Sequence, residues 1–188
     1  MGRWQPDARG RLAKAALELY GERGYEQTTV AEIAQRAGLT ERTFFRHYAD
    51  KREVLFAGSD VLQDLCVEAV AGAPASAAPV DAVAAALEAA SGMFDGGRDH
   101  VRRRQAVVGS HRELRERELI KLASLAAALA EALRARGIPE PAASLTAELG
   151  VAVFKVGFAA WLTAPEERDL AQVMRETLAR LKDVTLSP

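Results

Sequence analysis

The sequence predicts an all-α protein of about nine helices, and three observations carry the prediction. Ala, Leu, Glu and Arg dominate, and these residues enter a helix at little cost. Apolar residues recur three and four positions apart in segment after segment. No stretch alternates with the period of two that marks a half-buried strand, and there is no internal repeat. With 188 residues, 49% of them hydrophobic and 27% charged, the chain has the balance of a soluble globular protein that buries a core. The net charge of -1 means that any nucleic-acid contact must come from local clustering. Cys66, the one cysteine, sits among Leu62, Leu65 and Val67. That setting predicts a buried thiol, excludes an internal disulfide and fits a reducing compartment.

The elements follow in order. Asp7 after Pro6 is a start signal, and Leu12, Ala16, Leu19 and Tyr20 share one face of a first helix that ends at "GERGY", Gly21 to Tyr25. Thr29 stands at an N-cap position, with Glu32 where a capping box needs it. A short helix over 30–37 then turns inward through Ile33, Ala34 and Ala37. Gly38-Leu39-Thr40 hinges it to a second short helix, Glu41 to Tyr48, whose Phe44 and Tyr48 face inward. Neither piece is long enough to be stable alone. A helix is expected from Asp50 through Val54, Leu55, Val61, Leu62 and Leu65 to Val70, and "AGAPASAAP" is a loop. Further helices are expected over 81–94, with a break at Asp95-Gly96-Gly97, and from Arg98 to His111. Another runs from Glu113 through Leu119, Leu122, Ala126, Leu129 and Leu133 to Arg136-Gly137. After Pro139 and Pro141, a long helix spans 144–162 and a last one 165–184. The last turns Leu170, Val173, Met174, Leu178 and Leu181 inward.

Two short helices about a glycine turn are the pattern of a helix-turn-helix, in which the second helix enters the DNA major groove. Thr40, Arg42, Thr43, Arg46 and His47 are left on the faces that do not pack, free to reach bases or phosphates. Lys51, near the next helix start, is expected to clamp a phosphate. Arg42 and Arg46 are the expected guanine readers. A solvated basic helical hairpin would share the spacing. The coincidence of cap, turn glycine, inward aromatic pair and terminal lysine favours the DNA reading.

The stretch "TTVAEIAQRAGLTERTFFRHYADKREVLF" resembles the DNA-binding region of the TetR family of bacterial transcriptional regulators. Thr29, Ile33-Ala34, Ala37-Gly38, Thr43, Tyr48 and Lys51 match the family pattern in order. The resemblance implies Thr29, Thr40, Arg42, Thr43, Arg46, His47, Tyr48 and Lys51 as DNA-binding residues. Family members commonly carry Tyr where this chain has Phe45, and that hydroxyl usually reaches a phosphate. His47 and Tyr48 are left as candidates for the role. The domains expected are a three-helix DNA-binding unit over 1–52 and a helical ligand-binding and dimerisation unit over 53–188.

The second unit has more apolar surface than a lone DNA-binding module needs. Met93, Phe94, Val101, Val107, Val108, Leu119, Leu122, Phe154, Phe158 and Trp161 are expected to line the middle of a bundle, as ordinary core or as a pocket between helices. The candidate ligand-binding set is Phe94, Val101, Arg104, Val108, Leu122, Phe154, Phe158 and Trp161. Within "RRR" at 102–104, only one or two side chains can point inward, and one that does would hold a carboxylate or phosphate. The segment Leu149 to Leu162 is apolar nearly all round, and a second copy of the chain is the simplest partner for its outer face. The stretch "RRRQAVVGSHRELRERELIKLASLAAALAEALRARG" is similar to the C-terminal domain of actinobacterial TetR-like regulators that include the mycofactocin-system regulators. That resemblance implies an acyl-CoA or fatty-acid-like effector.

No metal set is apparent, with His47, His100 and His111 far apart, and no cofactor-binding or catalytic motif is present. The N-terminus is charged, and the most apolar run carries Lys155 and falls short of a membrane span. The expectation is a cytoplasmic homodimer, not an enzyme. It would bind a double-stranded palindromic operator, most simply as a repressor released by a small effector. The alternative is a DNA-binding dimer with no effector, which a filled core would favour.

Overall fold

The computed structural model describes residues 7–94, 97–165 and 168–186. Among them are nine α-helices and a 3-10 turn, and no strand. The helices are α1 (Ala8–Arg23), α2 (Val30–Arg36), α3 (Glu41–His47), α4 (Ser59–Gly72), α5 (Pro79–Gly92), α6 (Arg98–Ser110), α7 (Arg112–Ala135), α8 (Ala142–Thr163) and α9 (Leu170–Leu186), and the 3-10 turn is Glu53–Phe56. The chain divides into two compact units, Met1–Gly58 with Arg102–Glu118, and Ser59–Val101 with Leu119–Pro188. The break expected at Asp95-Gly96 lies outside the described residues.

In the first unit, Leu12, Leu19, Ile33 and Phe44 are wholly enclosed, and Tyr20 and Tyr25 meet edge to face at 5.2 Å. Val108 and Leu114, from the C-terminal part of α6 and the start of α7, complete this core. The helix expected from Asp50 is divided. Val54, Leu55 and Phe56 are all buried, and three consecutive residues cannot share one face of an α-helix. The chain therefore takes a tight turn inside the core, and its helix begins again at Ser59. The Asp50 carboxylate accepts from the N–H groups of Arg52 (2.8 Å) and Glu53 (3.2 Å), which fixes the start of the turn.

The second unit packs the alanine-rich face of α5 (Ala82, Val83, Ala86, Ala90) against α4, α8 and α9. Gly150 and Gly157 allow the close crossings. A Cβ at Gly150 would stand 2.5 Å from Val83, and one at Gly157 would stand 2.8 Å from the Met174 sulfur. Arginines close two helix ends whose last carbonyls have no partner within the helix. Arg136 donates to Val70 (3.1 Å) in the last turn of α4 and to Ala73 (2.7 Å) and Pro74 (2.7 Å) just beyond it. Arg98, only 7% exposed, donates to Ala164, Pro165 and Arg168 beyond α8 and lies over the Trp161 ring. The last helix, expected from Pro165, begins at Leu170.

Two expectations about packing change. Leu119 is 57% exposed and does not line the bundle, because it falls off the stripe that Leu114, Leu125, Leu129 and Leu133 define on α7. α8, with 22 residues, does reach the length and apolarity of a membrane span. One stripe of it, including Ala147, Val151, Val153 and Trp161, is buried within the unit.

Candidate nucleic-acid interface

The bracing helix α2 is tied down at its first turn by a reciprocal capping box. The Thr29 hydroxyl accepts from the Glu32 N–H (3.3 Å), and the Glu32 carboxylate accepts from the Thr29 N–H (2.9 Å). Those bonds, the backbone N–H first, hold the Glu32 carboxyl below the usual carboxylate range. Arg36 reaches back to Glu22 on α1 through two bonds of 2.9 and 2.8 Å. At Gly38 the backbone takes φ 66°, a conformation glycine adopts without strain, and Leu39 donates to Ala34 (2.8 Å) to close the turn. Thr40 then caps α3 by accepting from the Thr43 N–H at 3.2 Å.

α3 is seated by Phe44, which is fully buried, and by Tyr48, 4% exposed. Its outward side carries Arg42 and Arg46, both exposed, with Thr43 half-buried between them. No described residue engages either guanidinium, whereas Arg23 and Arg36 close by are paired with acids. Two free cations on the exposed face of a rigidly seated helix suit phosphates or guanine edges. His47 is half-buried, and its Nε2 is enclosed without a protein hydrogen bond.

Three of the expected contacts are committed elsewhere. Lys51 does not project as a phosphate clamp. Its ammonium donates to the carbonyls of Tyr25 (2.9 Å), Glu26 (3.3 Å) and Thr28 (3.1 Å), which accounts for all three of its protons. It also lies 4.3 Å from the Tyr25 ring centre. The Tyr48 hydroxyl donates its one proton to the Arg9 carbonyl at 3.0 Å. The Thr29 hydroxyl serves the capping box. These residues hold α1, α2 and α3 together. Their partners lie up to 39 positions away in the chain, beyond what local spacing reveals.

The expected ligand residues divide between the units. Phe94, Phe154, Phe158 and Trp161 form one aromatic cluster, with Phe158 5.1 Å from Phe94, 5.5 Å from Phe154 and 5.8 Å from Trp161. Val101 and Leu122 join the same core. Val108 and Arg104 do not; both belong to the first unit. Arg104 donates to the Leu55 carbonyl (2.7 Å), pairs with Glu118 (3.2 Å) and covers the Phe56 ring, so its charge fastens α6 to the 3-10 turn. Burial lowers the pKa of this guanidinium, and the Glu118 charge opposes the shift. One cavity in the second core, between Cys66, Val83, Leu125, Leu129, Gly150 and Phe154, measures about 10 Å³. A larger apolar groove, about 420 Å³, lies open along α8 and α9 between Val156, Ala160, Val173, Leu181 and Val184.

A capped bracing helix, a left-handed glycine turn and an outward pair of free arginines on the next helix define a helix-turn-helix DNA-binding protein. Residues 12–57 match the family model for bacterial regulatory proteins of the tetR family. The chain is 37% identical over 89 residues to the HTH-type transcriptional regulator TcmR of Streptomyces glaucescens, a match spanning 47% of this chain and 39% of that protein. Solved structures extend the likeness of fold across both units. A transcriptional regulator from Rhodococcus superposes with a TM-score of 0.54 at 23% identity, covering 94% of this chain and 96% of its own. The TetR-family repressor FadR of Thermus thermophilus, in complex with lauroyl-CoA, gives 0.52 at 23% identity, covering 96% of each chain.

Proposed function

We infer that the protein is a dimeric transcriptional regulator that binds a palindromic operator and acts as a repressor relieved by a small apolar or acyl-type effector. The observation that carries the reading is the pair of unengaged arginines, Arg42 and Arg46, on the seated helix α3. Dimerisation is supported by the open apolar groove along α8 and α9 and by Val156, which lines that groove and is 62% exposed. Two copies joined there would make a four-helix bundle and present two recognition helices to successive grooves. The DNA-binding role falls to the unit that begins with residues 1–52, and dimerisation and effector binding fall to helices beyond residue 53. The cytoplasm, where DNA is accessible, is the compartment this role requires.

An acyl effector is supported by the likeness of fold to FadR with lauroyl-CoA and by the cluster of Phe94, Phe154 and Phe158. Drug-sized ligands occupy pockets of roughly 300–1,000 Å³, far larger than the core cavity. The effector would therefore bind a more open form of the bundle. The small volume of that cavity supports a second reading, a DNA-binding dimer without an effector. Selection of bound duplexes from a random pool tests the first step. Titration of the selected complex with acyl-CoAs and fatty acids of rising chain length then separates the two readings. Release that depends on chain length supports the effector; a flat response supports the constitutive dimer.

A further inference from the structure

Phe45 is the one large apolar side chain on α3 that the fold leaves in solvent, 55% exposed. It meets the Phe44 ring edge-on at 5.5 Å but is not drawn into the core with it. At about 100° per residue it lies on the flank of the helix, between the buried side held by Phe44 and Tyr48 and the outward side that carries Arg42 and Arg46. Phe45 is thus beside two free cations, and the surface complementary to them is polyanionic. A phenyl ring has no donor to offer a phosphate. The apolar group that the DNA major groove presents is the C5-methyl of thymine, which projects near the backbone of its own strand, where the flank of an inserted helix comes closest.

We propose that Phe45 is a specificity-determining residue that reads a thymine methyl group in each operator half-site. The inference rests on the DNA-binding reading above and adds to it a base preference that the arginines cannot supply. Arg42 and Arg46 pair with acceptors on guanine or with phosphate oxygens, whereas Phe45 selects through shape and desolvation of a methyl group. The contact carries no charge, so it contributes sequence preference without counterion release.

The test uses the full-length chain. Duplexes bound by the wild type are selected from a random pool, and each thymine of the selected site is replaced in turn by uracil, which lacks only the methyl group. At one thymine per half-site, uracil should weaken wild-type binding about fourfold, the worth of one buried methyl. Phe45→Ala should bind the thymine site more weakly than the wild type, lose all discrimination between thymine and uracil there, and keep the wild-type salt dependence. Because the side chain is exposed, the alanine variant should fold with unchanged thermal stability. Equal wild-type affinity for every uracil substitution, or a penalty that persists in Phe45→Ala, overturns the proposal while leaving the DNA-binding reading intact. A Phe45→Ala variant that changes oligomeric state but not base preference also overturns it and assigns the ring to a protein contact. Failure to enrich any sequence overturns both.

Discussion

Lys51 holds three carbonyls between α1 and α2 at a point where the chain reverses, so its charge acts inside the fold. Lys51→Met should lower unfolding free energy by about 2 kcal/mol, the scale of hydrogen bonds to a charged group, and leave the salt dependence of DNA binding unchanged. Denaturant titration and binding across a salt series check both halves. Unaltered stability with a salt slope reduced by about one unit would restore the phosphate clamp. Arg42→Ala and Arg46→Ala should behave differently. Each should cost about 1–3 kcal/mol where its guanidinium is bidentate to guanine, with preference relaxed at that base pair. Equal losses on operator and random duplex would reassign them to phosphates. Acid should loosen the same unit. Hydrogen bonds from the Thr29 backbone to Glu32, and from the Arg52 side chain to Asp50, hold both carboxyls below their usual range. The stability they contribute is complete above the ordinary carboxylate range and is lost as pH falls through the lowered values. Glu32→Gln and Asp50→Asn should flatten the acid limb of a stability-against-pH curve.

At the scale of elements, α8 shows how much of a helix the sequence discloses. Its apolar circumference was legible, and so was its place in the core. Which side packs internally was not, because Val153 and Val156 are both valines three positions apart, yet one is 2% and the other 62% exposed. The deciding features are Gly150 and Gly157, which let α5 and α9 approach one side of the helix. Gly150→Ala should cost about 1–3 kcal/mol by forcing Val83 aside, and Val83→Ala should restore part of the loss. A neutral Gly150→Ala in thermal melts would show that the crossing can relax. The helix-turn-helix was more legible, since its cap, glycine turn and inward aromatics are all local signals. What escaped were the tethers of Lys51, Tyr48 and Arg104, whose partners are carbonyls 23 to 49 positions away and leave no mark in residue type.

For the whole molecule, the proposed dimer and the small core cavity make separable predictions. Val156→Asp places a charge on a face already in solvent in the single chain, so the variant should fold and sediment as a monomer. Val153→Asp should fail to fold, because it buries an unpaired charge in the chain's own core. A dimeric Val156→Asp would move the interface elsewhere. Burial pushes the Cys66 thiol up to about 11, so thiol reagents near neutral pH should label it only when the second unit opens. An effector that holds the bundle open should speed that labelling. The division of α6 and α7 between the two units bears on any graft of this DNA-binding head onto a foreign helical unit. The head is discontinuous in sequence: Val108 and Leu114 close its core, and Arg104 and Arg117 bond to Leu55 and Glu53, from a segment that returns only at residue 102. A chimera spliced once, after Gly58, would leave those apolar faces uncovered. A portable head must carry 102–118 with it, so exchange of the second unit needs three junctions where a beads-on-a-string protein would need one.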